Sequence, residues 1–318
     1  MKKFLFTSTA IVAFAGAASA DIVISGNAEM GVAGADTNIA GADVDLQFIT
    51  DIDVTFTMSG ETDGGLTFGA SVDLDEGVGP ATGNDFDDGG IAVFISGGFG
   101  TLTLGDTDGA LDWALTEVAF NNGSIADDET AHAGYNGNSA LDGSGDGQIL
   151  RYDNTFGDFG VAISAEQTDE GNDDDIVLGL GVKYTLDLGG NALNLGLGYQ
   201  DVDGDDALGV SVNGSFGAVT AGISYLTLDD TYDHVGVGVG YTSGAISVSA
   251  NYGIFDNDDG SEDDGFGLSV GYDLGGGAIV QFGYGTGTDE TATDDGLGGT
   301  VITSNDQDTY SFGVRMNF

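Results

Sequence analysis

The chain has 318 residues, of which 53 are Asp or Glu and only 5 are Lys or Arg, a formal net charge of −48 at pH 7. That balance excludes nucleic-acid binding, because phosphate contacts are made by Lys and Arg; the absence of cysteine excludes disulfide staples and thiol chemistry. High negative charge with 58 glycines would suit a disordered chain, yet hydrophobic residues make up 41% and recur with a regular period.

Met1-Lys2-Lys3 is a positive head, Phe4 to Gly16 an apolar run, and Ala18-Ser19-Ala20 a small-residue cleavage pattern. Residues 1–20 therefore read as a secretory signal peptide, too short in its apolar part to cross a bilayer as a helix. Residues 21–318 follow as one exported domain beginning at Asp21. Three cations then remain, Arg151, Lys183 and Arg315.

The exported part alternates with period two. Leu193, Leu195, Leu197 and Tyr199 fall on one face, and Asn194, Gly196, Gly198 and Gln200 on the other. Val235, Val237, Val239 and Tyr241 alternate with glycines, and Tyr310, Phe312, Val314, Met316 and Phe318 alternate with Ser311, Gly313, Arg315 and Asn317. This is strand periodicity with one apolar and one polar side. Sixteen strands are predicted: Ile22–Val32, Leu46–Ser59, Leu66–Asp75, Ile91–Ser96, Thr101–Gly105, Gln148–Thr155, Phe159–Thr168, Asp175–Leu186, Ala192–Asp201, Ala207–Phe216, Ala218–Leu228, Asp233–Thr242, Ala245–Phe255, Asp264–Leu274, Ala278–Thr286 and Asp308–Phe318. A soluble sandwich also alternates. Strand length near that needed to cross a bilayer, a polar face of Gly, Ser, Asn and Asp, and aromatic residues near strand ends favour a membrane barrel.

The connections separate these options further. Those after odd-numbered strands are mostly long and acidic: Gly34–Asp45, Glu76–Gly90, Asp106–Gly147, Asp169–Asp174, Val202–Asp206, Asp229–Tyr232, Asp256–Asp263 and Gly287–Gln307. Those after even-numbered strands, such as Gly97–Gly100, Phe156–Asp158, Gly217, Ser243–Gly244 and Gly275–Gly277, are short and glycine-rich. Short turns at one end and longer loops at the other are the mark of an up-and-down transmembrane barrel, which needs no open edge in lipid. The fold class is therefore all-β, a transmembrane antiparallel up-and-down barrel of about 16 strands.

No catalytic constellation stands out, so the chain reads as a non-enzyme. His132 and His234 lie in or beside acidic connections without a matched nucleophile or ligand spacing, and read as solvated loop histidines. The longest connection, Asp106–Gly147, invites a function. Leu111, Leu115 and Val118 have helical spacing, which predicts a short helix resting on the barrel wall, with Asp106, Asp108, Asp112 and Glu117 turned to the lumen. The alternative is a lid over the mouth. Arg151, Lys183 and Arg315 all fall on the polar face. They predict a constriction with wall cations facing loop carboxylates, or pairing with lumen acids such as Glu29, Asp53, Asp73 and Glu166. Asp201–Asp206 and Asp256–Gly260 begin like EF-hand loops but lack the rest of the pattern. No cofactor is expected, while loosely bound Ca²⁺ or Mg²⁺ at the acidic outer loops is.

The segments Ile24-Ser25-Gly26-Asn27-Ala28-Glu29-Met30-Gly31-Val32, Phe56-Thr57-Met58-Ser59-Gly60 with Leu66-Thr67-Phe68-Gly69-Ala70, and Phe94-Ile95-Ser96-Gly97-Gly98-Phe99-Gly100-Thr101-Leu102-Thr103-Leu104-Gly105-Asp106 resemble the Gram-negative general porins, alphaproteobacterial type, as does the terminal Phe318. The resemblance implies an integral outer-membrane barrel, usually a homotrimer, for passive diffusion of small hydrophilic solutes and ions, in contact with membrane lipid and lipopolysaccharide. It implies that the third outer loop, Asp106–Gly147, folds inward, and that the short strands Ile91–Ser96 and Thr101–Gly105 form a subunit-contact wall. The family commonly sets an arginine cluster against the loop acids, and three cations are too few for that. The expectation is a cation-preferring pore. The alternatives are a substrate-specific outer-membrane channel and a secreted acidic calcium-binding surface protein or adhesin.

Overall fold

The computed structural model describes residues 21–39, 42–75, 90–121, 123–125, 130–143, 148–167, 176–202, 204–294 and 299–318; the predicted signal peptide lies outside these residues. Sixteen strands form one closed sheet: β1 (Asp21–Thr37), β2 (Val44–Glu61), β3 (Thr67–Asp75), β4 (Ile91–Gly97), β5 (Gly100–Gly105), β6 (Ile149–Phe156), β7 (Phe159–Gln167), β8 (Ile176–Asp187), β9 (Ala192–Val202), β10 (Asp205–Phe216), β11 (Val219–Leu228), β12 (Tyr232–Ser243), β13 (Ile246–Asn257), β14 (Glu262–Gly275), β15 (Ala278–Asp294) and β16 (Thr300–Asn317). Each strand pairs antiparallel with its chain neighbours, and β1 closes on β16 from Asn27↔Asn317 to Thr37↔Gln307. Closure gives every strand two partners within the bilayer, where an unpaired backbone group would have no water to bond.

The two faces sort as the alternation requires. Phe48, Ile22, Ile24, Leu178, Leu197, Val239 and Phe312 are exposed on the outside, while Ser211, Ser224, Ser249, Asn251, Ser269, Gln281 and Ser311 are buried on the inside. Outward tyrosines mark one rim: Tyr199, Tyr225, Tyr252 and Tyr284 each donate from the hydroxyl to an aspartate of the next strand, namely Asp206 (3.0 Å), Asp233 (2.8 Å), Asp264 (3.1 Å) and Asp308 (3.1 Å). Each ring is thus in apolar surroundings with its hydroxyl at a polar boundary, as an interfacial girdle demands. At the other rim Phe159 and Tyr184 pack with centroids 4.5 Å apart.

The short turns are tight hairpins. Gly157, Gly217 and Gly244 open the two-residue connections with φ of 64°, 68° and 62°. Such mirror-image turns match the twist of the flanking strands and need that left-handed backbone.

Strand bounds shift where the apolar alternation stops being informative. The predicted connection Gly287–Gln307 is largely strand: β15 and β16 pair continuously from Ala278↔Met316 to Asp294↔Thr300. Beyond the membrane both faces are wet, so the ladder runs on through β-branched Thr288, Thr291, Thr293, Val301, Ile302 and Thr303 without alternating. β1 and β2 likewise extend into the predicted connection Gly34–Asp45. Most of Glu76–Gly90 and all of Asp169–Asp174 lie outside the described residues.

A candidate pore constriction

The segment from Asp106 to Gln148 joins β5 to β6, and its described residues run against the polar, inward face of the barrel. None of these described residues is in a strand ladder, so their backbone groups need other partners. Wall side chains supply them. Ala110 N–H donates to Ser164 Oγ on β7 (2.8 Å), Thr116 N–H to Ser211 Oγ on β10 (3.0 Å), and Ile125 N–H to Ser311 Oγ on β16 (3.0 Å). On the return, Thr309 Oγ1 donates to the Ala131 carbonyl (2.8 Å) and Leu141 N–H to Gln200 Oε1 (3.0 Å).

Glycine makes room for this backbone. A Cβ on Gly181, Gly196, Gly238, Gly253 or Gly285 would collide with the carbonyl oxygen of Ala110, Ala114, Val118, Gly134 or Ala131 respectively. Glycines on the polar face read, in the sequence, as a wet lumen wall. Over β8 to β15 many are instead the seat of the segment.

The predicted helix is present but short: α1 spans Ala110–Ala114, and Leu115 is already extended. Its N-cap is Gly109 without a side-chain cap; Asp142 accepts Gly109 N–H at 2.7 Å from the returning chain. Leu111, Leu115 and Leu141 pack with Val177, Ala207 and Leu226 of the wall. Val118 is buried too, at a bend rather than on a second helical turn.

The three cations are engaged. Arg151 Nη1 donates to the Asp108 carbonyl at 2.5 Å and lies 3.8 Å from its carboxylate, while Nε meets Asp153 at 3.4 Å. Lys183 Nζ stands 4.0 Å over the Trp113 ring, a cation–π contact. Arg315 lies 3.4 Å from the buried Glu29 carboxylate. Arg151 and Lys183 thus sit beside the root of the segment, Arg151 within 3.8 Å of the loop acid Asp108, and Arg315 sits at the β1–β16 seam, paired with Glu29, one of the lumen acids the sequence offered as partners.

Asp106, Asp108 and Asp112 border a recess of about 470 Å³ with Thr107, Ser139, Asp142 and Gln148. Asp142 was missed in the sequence, because only the fold brings it beside Gly109. Glu117 is elsewhere, accepting a hydrogen bond from the Tyr135 hydroxyl. Burial, reinforced by Asp108, Asp142 and Glu117 and opposed by Lys183, pushes Asp112 up to about 7. Burial likewise pushes Asp142 up to about 6, against the bond from Gly109. A carboxyl raised in the docked segment holds its proton more tightly docked than free. Its contribution to docking is full below the ordinary 3.8 and is lost as pH rises through about 6 and about 7. Amide exchange across residues 107–116, corrected for intrinsic rate, is therefore expected to be slower at pH 5 than at pH 8, by on the order of tenfold. Equal protection would contradict it.

The histidines are not solvated. His234 is 1% exposed on β12, with Nε2 3.1 Å from the Gly134 carbonyl. His132 Nε2 meets Asn251 Oδ1 at 2.5 Å. Glycines at 236, 253 and 265 open the space for these rings. At Asp256–Gly260 the Asp259 carboxylate accepts from Ser261 N–H (2.9 Å) and Oγ (2.6 Å), which holds it below the ordinary range. Among the described residues no group of three or more His, Asp or Glu is placed to hold a metal ion.

A closed transmembrane barrel whose inward face carries a long acidic segment defines an outer-membrane channel. The chain belongs to the Gram-negative porin family, which matches residues 7–293. It is 32% identical over 297 residues to a porin of Rhodobacter capsulatus, covering 82% of this chain and 92% of that protein. A porin structure refined at 1.8 Å resolution superposes with a TM-score of 0.63 at 26% identity, covering 94% of this chain and 100% of that one. A Rhodopseudomonas blastica porin triple mutant superposes with a TM-score of 0.66 at 18% identity over the same shares, a likeness of fold alone. The protein is thus an integral outer-membrane β-barrel, and the alternative of a secreted adhesin falls away.

Proposed function

We propose that this porin is a general diffusion channel with a preference for cations, narrowed by the segment Asp106–Gln148. One observation carries the reading. Arg151, Lys183 and Arg315 are each held by Asp108, Trp113 or Glu29, while Asp106, Asp108, Asp112 and Asp142 gather at one recess. Asp53 and Asp73 add further carboxylates, bonded to Asn27 (2.5 Å) and Thr55 (3.0 Å). Fixed negative charge along a narrow low-dielectric passage concentrates cations and repels anions.

The homotrimer is part of the same reading. Short β4 and β5 expose Ile91, Val93, Leu102 and Leu104, an apolar wall suited to a second copy, and lipid with lipopolysaccharide would surround the rest. Loose Ca²⁺ or Mg²⁺ at the acidic outer loops also belongs to the proposal.

Liposome swelling with a series of neutral sugars separates a general pore from a selective one. Rates should fall smoothly with solute size; uptake of one sugar out of order with its size would favour a substrate-specific channel. For the charge preference, Asp108→Asn with Asp112→Asn should move the reversal potential in a KCl gradient toward zero. Adding Glu117→Gln should move it further by a smaller step, because Glu117 does not line the recess. No shift in the double variant would remove these acids from the ion path.

A further inference from the structure

The chain has two histidines in all, and both end at one place, under residues 130–138 of the inward segment. His234 Nε2–H on β12 donates to the Gly134 carbonyl at 3.1 Å. His132, on the segment, donates from Nε2–H to Asn251 Oδ1 on β13 at 2.5 Å. The wall is hollowed to accept both, since a Cβ on Gly253 would strike Gly134 and one on Gly265 would strike the His132 ring. Both Nδ1 atoms are buried without a hydrogen-bond partner among the described residues. These bonds require both rings to carry the proton on Nε2, which leaves each Nδ1 bare in the neutral form.

We infer that His132 and His234 are positioning residues that fasten the returning leg of the segment to β12–β14, and that this fastening opens when they take up protons. The inference rests on the reading of the lumen as a channel. A second proton would make each Nδ1 a buried donor with no acceptor, which is unfavourable. Two imidazolium charges side by side would also repel.

The surrounding groups do not rescue that proton. Asp264 of β14 draws charge toward His132, but its carboxylate accepts from the Tyr252 hydroxyl on the outer face. From the segment, Tyr135 faces His132 edge-on at 6.2 Å and is itself bonded to Glu117. On β12, Tyr232 packs on Phe255, which covers the His234 ring at 4.4 Å. Burial holds His132 below the ordinary 6.5, against the pull of Asn251 and Asp264. The freed leg binds more protons than the docked leg, so docking is complete above about 6.5 and weakens as pH falls below it. This is opposite in sign to the response of Asp112 and Asp142 at the root.

A leg that leaves the wall has only the lumen to enter, so its release blocks current. In planar bilayers the wild-type channel should show about tenfold more frequent partial closures at pH 5 than at pH 7. His132→Gln with His234→Gln keeps a donor near each Nε2 without a titrating ring, and should flatten that profile. The same step in the double variant, or no step in the wild type, overturns the proposal. Amide exchange of residues 130–138 in the purified wild-type barrel decides the point without a variant or a current. Corrected for intrinsic rate, it should speed up from pH 7 to pH 5, and unchanged protection overturns the fastening. A protein that conducts nothing at pH 7 would instead sink the channel reading, with the exchange result still judging the histidines.

Discussion

Gly238→Val is expected to push the inward segment off the wall into the lumen, lower single-channel conductance and narrow the range of sugars that enter liposomes. The glycine lies on the lumen face of β12, and a Cβ there would collide with the backbone carbonyl of Val118. Valine is a good strand residue, and the position needs no left-handed backbone, so the barrel ladder tolerates the change. The carbonyl of Val118 has no flexible end to move aside. Overpacking of this kind typically destabilises the local arrangement by roughly 1–3 kcal/mol. The strain falls on the segment, which is held by scattered hydrogen bonds, and not on a strand paired on both sides. Gly98→Ala provides the control, since a Cβ there meets nothing within 4 Å. Unchanged conductance in Gly238→Val, with its fold intact, would show that the segment does not depend on this seat.

Arg315→Met should produce the largest loss of barrel stability. Arg315 pairs with Glu29 directly across the β1–β16 ladder, where the two ends of the sheet meet. Glu29 is 3% exposed. Removing the guanidinium leaves a buried carboxylate without its counterion, a change that destabilises by about 3–5 kcal/mol. The temperature at which the barrel loses its compact mobility in detergent gels should fall clearly. Adding Glu29→Gln removes the stranded charge and should recover much of the loss. A double variant no more stable than Arg315→Met would mean the pair is not coupled.

These two predictions rest on unlike kinds of information. The Arg315 position on the polar face was legible from alternation with Val314 and Met316, and so were the sixteen strands and the long and short connections. Alternation is local and repeats along each strand, so a barrel writes it many times. The partner of Arg315 was one of several acids named from the sequence, and only the register selected Glu29. The Gly238 seat was not legible. A glycine facing water and one facing another backbone look alike in a period-two pattern. A run such as Gly236, Gly238 and Gly240 is the signal that could have separated them, since a merely wet wall has no need to exclude every side chain. The histidines failed for a related reason. Acidic neighbours in sequence suggested solvent, while the groups covering His234 come from Gly134 and Phe255, far along the chain. Strand ends were missed at the outer rim because β15 and β16 outrun the membrane, and alternation carries no message where both faces are wet.

The most direct test of a cation-preferring pore is the zero-current potential of the wild-type channel in a planar bilayer under a KCl gradient at neutral pH. The tied cations and the gathered carboxylates predict a reversal potential of the sign set by potassium, weakening as Asp112 and Asp142 take up protons at lower pH. A reversal potential of the sign set by chloride would contradict the account.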